Sequence, residues 1–282
     1  MIEIHAHVLP GLDDGPVDSD EAFALIAAYA RQGVSDLICT SHFTAEQMQK
    51  DHSQAYLARY ATALSICNEA FMQSEYTIRL HPGFELELVP DLYRCLHMFN
   101  QPPYPLALAG SSYLLVELPR WLNGGIGTLD NLLYSLQLAG YMPILAHPER
   151  IVDFESSELQ LVRWVEQERI FLQVNATSLV ELPDRTSEQQ KRYQRRHAIV
   201  DRLIRSGLVH VVSSDAHHVV RRPPLHQLAW TTLSEQYGEA SARLLLQDNP
   251  AAILAGRLMI SSSQAAIETT TSSKKQKEAS QV

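Results

Sequence analysis

Six times in this chain of 282 residues a short apolar run closes on a histidine or a carboxylate. The runs are Ile2-Glu3-Ile4-His5-Ala6-His7, Asp36 to His42, Tyr76 to Glu85, Tyr113 to Glu117, Pro143 to His147 and Val209 to His217. Helical periodicity fills the stretches between them, so strand and helix alternate along most of the chain. That order specifies a parallel α/β sheet. In a parallel barrel all strand C-terminal ends open on one face, and side chains ending six strands would meet at one mouth.

The first run carries the sharpest local signal. Ile2 and Ile4 alternate with polar neighbours, which predicts a strand with His5 and His7 projecting from one face at its end. Asp13 and Asp14 follow in a turn bounded by Gly11 and Gly15, from which a carboxylate can reach back. Further on, Asp18 or Ser19 is expected to cap a helix to Arg31. Other helices are expected over about 53–72, 127–139, 158–168, 187–205, 225–237, 239–247 and 250–254.

Nine residues form the candidate ligand set: His5, His7, Asp14, His42, Glu85, Glu117, His147, Asp215 and His217. All are imidazole or carboxylate, a donor set that suits Mn²⁺, Fe or Zn²⁺ and disfavours a structural thiolate zinc site. Nine exceed the needs of one ion, so two or three ions are expected. Glu85 or Asp215 could bridge, because a carboxylate has two oxygens. Clusters of this kind activate water and clamp a phosphoryl group during in-line displacement, which makes metal-assisted phosphate ester hydrolysis the leading reaction class. Arg150 in His147-Pro148-Glu149-Arg150 and Arg222 in Arg221-Arg222-Pro223-Pro224 lie beside these ligands, and a planar guanidinium can bind two phosphoryl oxygens at once. Arg120 is a weaker third.

Other histidines read as structural. His52, His97, His197 and His226 are expected at the surface, His81 and His210 in packing, and His218 facing away from His217. The basic run from Arg185 to Arg205 is expected to be a solvated helix face, a minority of which dock acidic partners.

The composition bounds the rest. With 45% hydrophobic and 20% charged residues, one globular domain over 1–262 is expected, followed by a disordered polar tail over 263–282. A formal net charge of −9 argues against nucleic acid as partner. No basic-then-apolar leader precedes the first strand and no apolar run approaches the ~18 residues of a membrane span, so a cytoplasmic protein without membrane insertion is expected. The three cysteines suit a reducing compartment. They also fail the thiol phosphatase pattern: the positions six after Cys39, Cys67 and Cys95 are Ala45, Gln73 and Gln101, where that mechanism needs arginine.

His5-Ala6-His7-Val8-Leu9-Pro10-Gly11-Leu12-Asp13-Asp14-Gly15, Thr40-Ser41-His42, Gly83-Phe84-Glu85, Val116-Glu117, Ala146-His147-Pro148-Glu149-Arg150, Gln173-Val174-Asn175 and Ser213-Ser214-Asp215-Ala216-His217 with Arg222-Pro223-Pro224 resemble the PHP (polymerase and histidinol phosphatase) superfamily. More narrowly, they resemble the bacterial PHP-type protein tyrosine phosphatases of capsule and exopolysaccharide clusters, the CpsB/CapC/YwqE group. The resemblance covers about residues 1–260 in the right order. It implies a distorted (β/α)₇ TIM-like barrel with three metal ions, usually Mn²⁺, at the strand C-terminal ends, and a metal-bridging hydroxide as nucleophile. By motif, Glu85, Glu117 and His147 would hold one ion, His5, His7, Asp215 and again Glu85 a second, and Asp14, His42 and His217 a third. Arg150 and Arg222 would grip the phosphoryl group. The implied partner is a phosphotyrosine protein, namely the tail of a bacterial tyrosine kinase that controls polysaccharide export, and relatives are often homo-oligomers. Ile151 and His218 depart from the aromatic and Asn common at those places in the group, which touches specificity more than chemistry. Two alternatives stay open: a phosphatase of histidinol phosphate or another small phosphomonoester, and a metal-stabilised binding scaffold.

Overall fold

The computed structural model describes residues 1–99, 105–119, 125–151, 154–183 and 185–261. Arg120 and the tail over 263–282 lie outside these residues. Seven parallel strands pair in sequence order: β1 (Ile2–Ala6), β2 (Asp36–Phe43), β3 (Arg79–Glu87), β4 (Tyr113–Glu117), β5 (Met142–Ala146), β6 (Phe171–Asn175) and β7 (Val211–Ser213). A parallel bridge between Ala6 and Ala216 joins the two ends of the sheet at the mouth, with His7 N donating to Ala216 O and Asp215 N to His5 O. The result is a nearly closed, distorted barrel.

Helices cross over between the strands: α1 (Ser19–Arg31), α2 (Lys50–Met72), α3 (Pro90–Met98), α4 (Asp130–Leu138), α5 (Phe154–Glu166), α6 (Ala176–Leu179) and α7 (Ser187–Arg205). After β7 come α8 (His226–Tyr237), α9 (Glu239–Arg243), a π turn over Leu244–Asp248 and α10 (Asn249–Leu254). Their starts follow local chemistry. Asp18 accepts from Glu21 N at the head of α1, and Thr186 and Gln189 form a reciprocal capping box at the head of α7.

The core has two parts. Ile2, Ile4, Ile38, Tyr113, Leu115, Ile144 and Val211 pack together with Ile253 and Met259 inside the barrel, below the mouth. A larger cluster, including Leu37, Leu114, Val116, Leu172 and Val212, packs between strands and helices. Gly83 is small of necessity, because a Cβ there would lie 2.5 Å from Ile38 Cγ2.

One strand departs from simple alternation. Ile2 and Ile4 belong to the inner cluster, His5 and His7 both join the ligand groups at the mouth, and Ala6 packs in the outer cluster. The β1–β2 register shifts between Glu3 and Ala6, and this bulge re-aims the following side chains inward.

His210 is buried as expected of a packing residue. Its ring meets Phe171 edge-on at 5.0 Å, and its Nδ1 accepts from Leu172 N. Burial pushes its pKa down to about 4. Since the unfolded chain takes up this proton near pH 6.5 and the folded one does not, stability is whole above that pH and falls as pH drops toward 4. The loss from this group alone is expected to reach about 3 kcal/mol. Urea midpoints at pH 7 and pH 4.5 should diverge less for His210→Gln than for the wild type.

His226 corrects an expectation. It is 1% exposed rather than at the surface, packed against Tyr29, with Nε2 3.7 Å from Glu3 Oε2. It opens α8, and a residue at a helix start carries no periodic signal to reveal which side is covered.

Candidate metal centre

The nine candidate ligands come together at the strand C-terminal ends. His5 lies within the β1 bulge and His7 just after it, His42 and Glu85 face each other in the β2–β3 register, and Glu117 ends β4. His147 and Asp215 follow β5 and β7 with left-handed backbones, φ 35° and 53°. These are uncommon for non-glycine residues, and such conformations gather where a site holds them in place. His217 follows two residues on, and Asp14 lies at the rim, 59% exposed.

Glu85 stands at the centre and is almost wholly buried. Its Oε2 lies 3.2 Å from His5 Nε2, 3.2 Å from His7 Nε2 and 3.1 Å from His42 Nδ1, while Oε1 lies 2.8 Å from His147 Nε2. Asp215 divides its oxygens in the same manner. Oδ1 faces His5 at 3.4 Å and His7 at 3.6 Å, and Oδ2 accepts from Arg222 at 2.7 Å, Arg150 at 3.0 Å and Asn175 at 2.7 Å. Asp14 Oδ1 lies 3.1 Å from His217 Nε2 and 3.4 Å from His42 Nε2, and Glu117 Oε1 lies 3.2 Å from His42 Nδ1.

Three groups have donor atoms close enough to share an ion: His5, His7, Glu85 and Asp215; His7, Asp14, His42 and His217; and His42, Glu85 and Glu117. The first has the membership the motifs imply for one ion. The second adds His7 to its expected trio. In the third His42 stands beside Glu117, and His147 reaches the other oxygen of Glu85.

The electrostatics suit cations. Burial opposes charge on His7, but Asp13 and Glu85 outweigh it and raise its pKa to about 9. His5 and His42 are also raised against burial, His5 by Glu85 and Asp215, His42 by Asp14, Glu117 and Glu85. Against the same penalty, their imidazoles lower Glu85, and His5 and Arg222 lower Asp215. The imidazoles of His217 and His42 beside it lower Asp14. Four carboxylates and five imidazoles thus face one another, most of them buried, and protons or metal ions must balance the charge. The buried nitrogens His42 Nδ1 and His217 Nε2 have carboxylate oxygens 3.1 Å away without forming a hydrogen bond to them. Such orphaned donors, in a thiolate-free nitrogen and oxygen set, fit divalent ions.

Further residues support the ligands. Asp13 Oδ2 lies 2.8 Å from His7 Nδ1 and accepts from His42 N, so it orients two imidazoles. His7 in turn holds Asp13 at a pKa of about 2, against its burial. Gln173 Oε1 pairs with His5 Nδ1 at 2.8 Å, and its Nε2 donates to Asn175 Oδ1. Glu3, fully buried, accepts from His5 N, Ser214 N and Ser214 Oγ, tying the first strand to the Asp215 turn. Partners of this kind fix ring orientation and tautomer. The Asp13-Asp14 pair was visible in the sequence, but nothing there assigned the inner role to Asp13. Glu3 offered no signal beyond its place in an apolar strand.

A model of the family described as capsular polysaccharide synthesis, CpsB/CapC, matches residues 1–255. Tyrosine-protein phosphatase YwqE of Bacillus subtilis (strain 168) is 28% identical over 248 residues, covering 88% of this chain and 89% of that one. Tyrosine-protein phosphatase CpsB of Streptococcus pneumoniae is 29% identical over 259 residues, covering 92% and 100%. A chain from the crystal structures of YwqE from B. subtilis and CpsB from S. pneumoniae, unique metal-dependent tyrosine phosphatases, superposes with a TM-score of 0.76 at 27% identity, covering 93% of this chain and 97% of that one. With its barrel, its convergent ligands and a family match over nearly its whole length, the chain belongs to the CpsB/CapC family of capsular polysaccharide synthesis.

Proposed function

We propose that the protein is a metal-dependent phosphatase that hydrolyses phosphotyrosine in proteins, with Mn²⁺ as metal and three ions in the site. The observation that carries this reading is the division of labour at Asp215: one oxygen faces the imidazoles, and the other holds two arginines at the rim. Metal ligation and anion binding thus share one carboxylate.

His5, His7, Glu85 and Asp215 would hold one ion, Asp14, His42 and His217 a second, and Glu85 with Glu117 and His147 a third. Bound there, divalent ions act as Lewis acids and bring the pKa of water toward neutrality. Each guanidinium has five N–H donors, and Asp215 occupies one from each of Arg150 and Arg222. Arg222 Nη1 also lies 3.9 Å from Asp14 Oδ2, and the donors left over from these carboxylates can grip phosphoryl oxygens and meet the negative charge that grows on them. Asn175 keeps Asp215 oriented when the arginines turn to substrate. Tyrosine departs as a phenolate of pKa about 10, so the site needs no strong general acid beside it.

The substrate we propose is the tyrosine-phosphorylated tail of a bacterial kinase regulating polysaccharide export, encountered in the cytoplasm. Among the described residues no helix is long and apolar enough to cross a membrane. Chelated protein should release no phosphate from a phosphotyrosine peptide and regain turnover with Mn²⁺, above that on histidinol phosphate run in parallel. Turnover of histidinol phosphate alone would transfer the site to small esters, and silence on both would favour a binding scaffold.

A further inference from the structure

The basic run that the sequence leaves as a solvated face divides in two in the folded chain. Arg195, Arg202 and Arg205 lie near Glu155, Glu158 and Asp201 at 3.9, 2.7 and 2.9 Å. Gln189, Arg192, Tyr193 and Arg196, at helical spacing, instead line a groove of about 470 Å³. Arg185 and Arg221 border the same groove, and its inner end is formed by Arg150, Asn175 and Arg222 of the metal centre. Among the described residues six arginines and no carboxylate line it, in a chain whose net charge is −9.

The groove is held in shape. The Arg185 guanidinium stacks 3.7 Å from the Tyr193 ring centroid and donates to Val180 O, while its Nη1 is buried with no partner. Arg192 has only an exposed one-turn pair with Glu188, and among the described residues no carboxylate pairs with Arg185, Arg196 or Arg221. Burial first, and then the charge of Arg150, hold Arg196 below the ordinary guanidinium range, outweighing the opposing charge of Glu149.

We propose that this groove is an exosite for an acidic segment of the substrate protein, whose anionic side chains lie along Arg192, Arg196 and Arg221 while its phosphotyrosine sits between Arg150 and Arg222. The inference rests on the phosphotyrosine reading of the metal centre and adds to it a preference for flanking charge. Planar guanidinium forks suit carboxylates and phosphates alike, so the shared requirement is an anionic flank.

The test uses the full chain and fluorescent peptides in which a difluorophosphonate replaces the phosphotyrosine ester. One peptide has Asp and Glu flanks, one neutral flanks, and one a second phosphorylated residue. By anisotropy the acidic peptide should bind about tenfold tighter than the neutral one, as two or three partly exposed ion pairs allow. The preference should shrink in high salt and collapse in Arg192→Ala/Arg196→Ala. Arg221→Glu, in an exposed loop, gives the same readout without touching a helix. Tightest binding of the third peptide would assign the groove to phosphate, and of the first to carboxylates. Equal affinity for all three, or a preference untouched by these variants, would overturn the exosite. Turnover of p-nitrophenyl phosphate reports on the metal centre separately: it should be unchanged in the variants, and its absence from metal-loaded wild type would sink the phosphatase reading instead.

Discussion

Glu85→Gln is expected to lower turnover of phosphotyrosine peptide by about a thousandfold or more, the scale of losing several kcal/mol of charge stabilisation. The substitution preserves shape and removes one negative charge from the point on which four imidazoles converge. Glutamine offers one carbonyl oxygen where the carboxylate offers two, and it presents an NH₂ donor to a ring nitrogen or an ion. Two of the three ion-sized groups lose their common member. Metal content by elemental analysis should therefore fall by more than one ion per chain, while far-UV circular dichroism stays that of a folded barrel. A variant that retained full metal and turned over within tenfold of wild type would remove Glu85 from the centre of the mechanism.

The second large effect is expected from Arg150→Ala/Arg222→Ala. Each charge-assisted contact to a transferring phosphoryl group is worth roughly ten- to a hundredfold in rate, so the pair should cost about a thousandfold in kcat/KM. Metal content should hold, because neither side chain belongs to an ion-sized group. Arg222→Lys keeps the charge and loses the fork, and should fall between wild type and the alanine form. A parallel loss of metal would mean that the arginines support Asp215 rather than substrate, since among the described residues Asn175 would then be the only remaining donor to its Oδ2.

The two sets of variants separate what the sequence made legible from what it did not. Strands ending in histidine or carboxylate could be read because each carries its own signal: a short apolar run with a polar end. Phe171–Asn175 has the same apolar start but ends in Asn, so residue type alone gave it no place among the strands. It nevertheless supplies Gln173 and Asn175, which hold His5 and Asp215. Pro90–Met98 was missed as a helix for a similar reason, being only nine residues long and following its strand almost at once. The bulge in β1 lay beyond reach, since alternation in Ile2 to His7 reads the same with or without an extra residue opposite Leu37 to Cys39. Asp13 and Glu3 show the general limit. A carboxylate that orients a ligand and one that binds an ion are the same residue type, and only the distances part them.

The closing bridge of the barrel has one more consequence. His5 and His7 stand at the very start of the chain, and Asp215, His217 and Arg222 some two hundred residues later, across the join between first and last strand. A chain made only as far as the sixth strand therefore holds seven of the nine candidate ligands and lacks Asp215 and His217. The proposed site is completed only when the seventh strand docks beside the first, so a product truncated before that strand is expected to release no phosphate from a phosphotyrosine peptide.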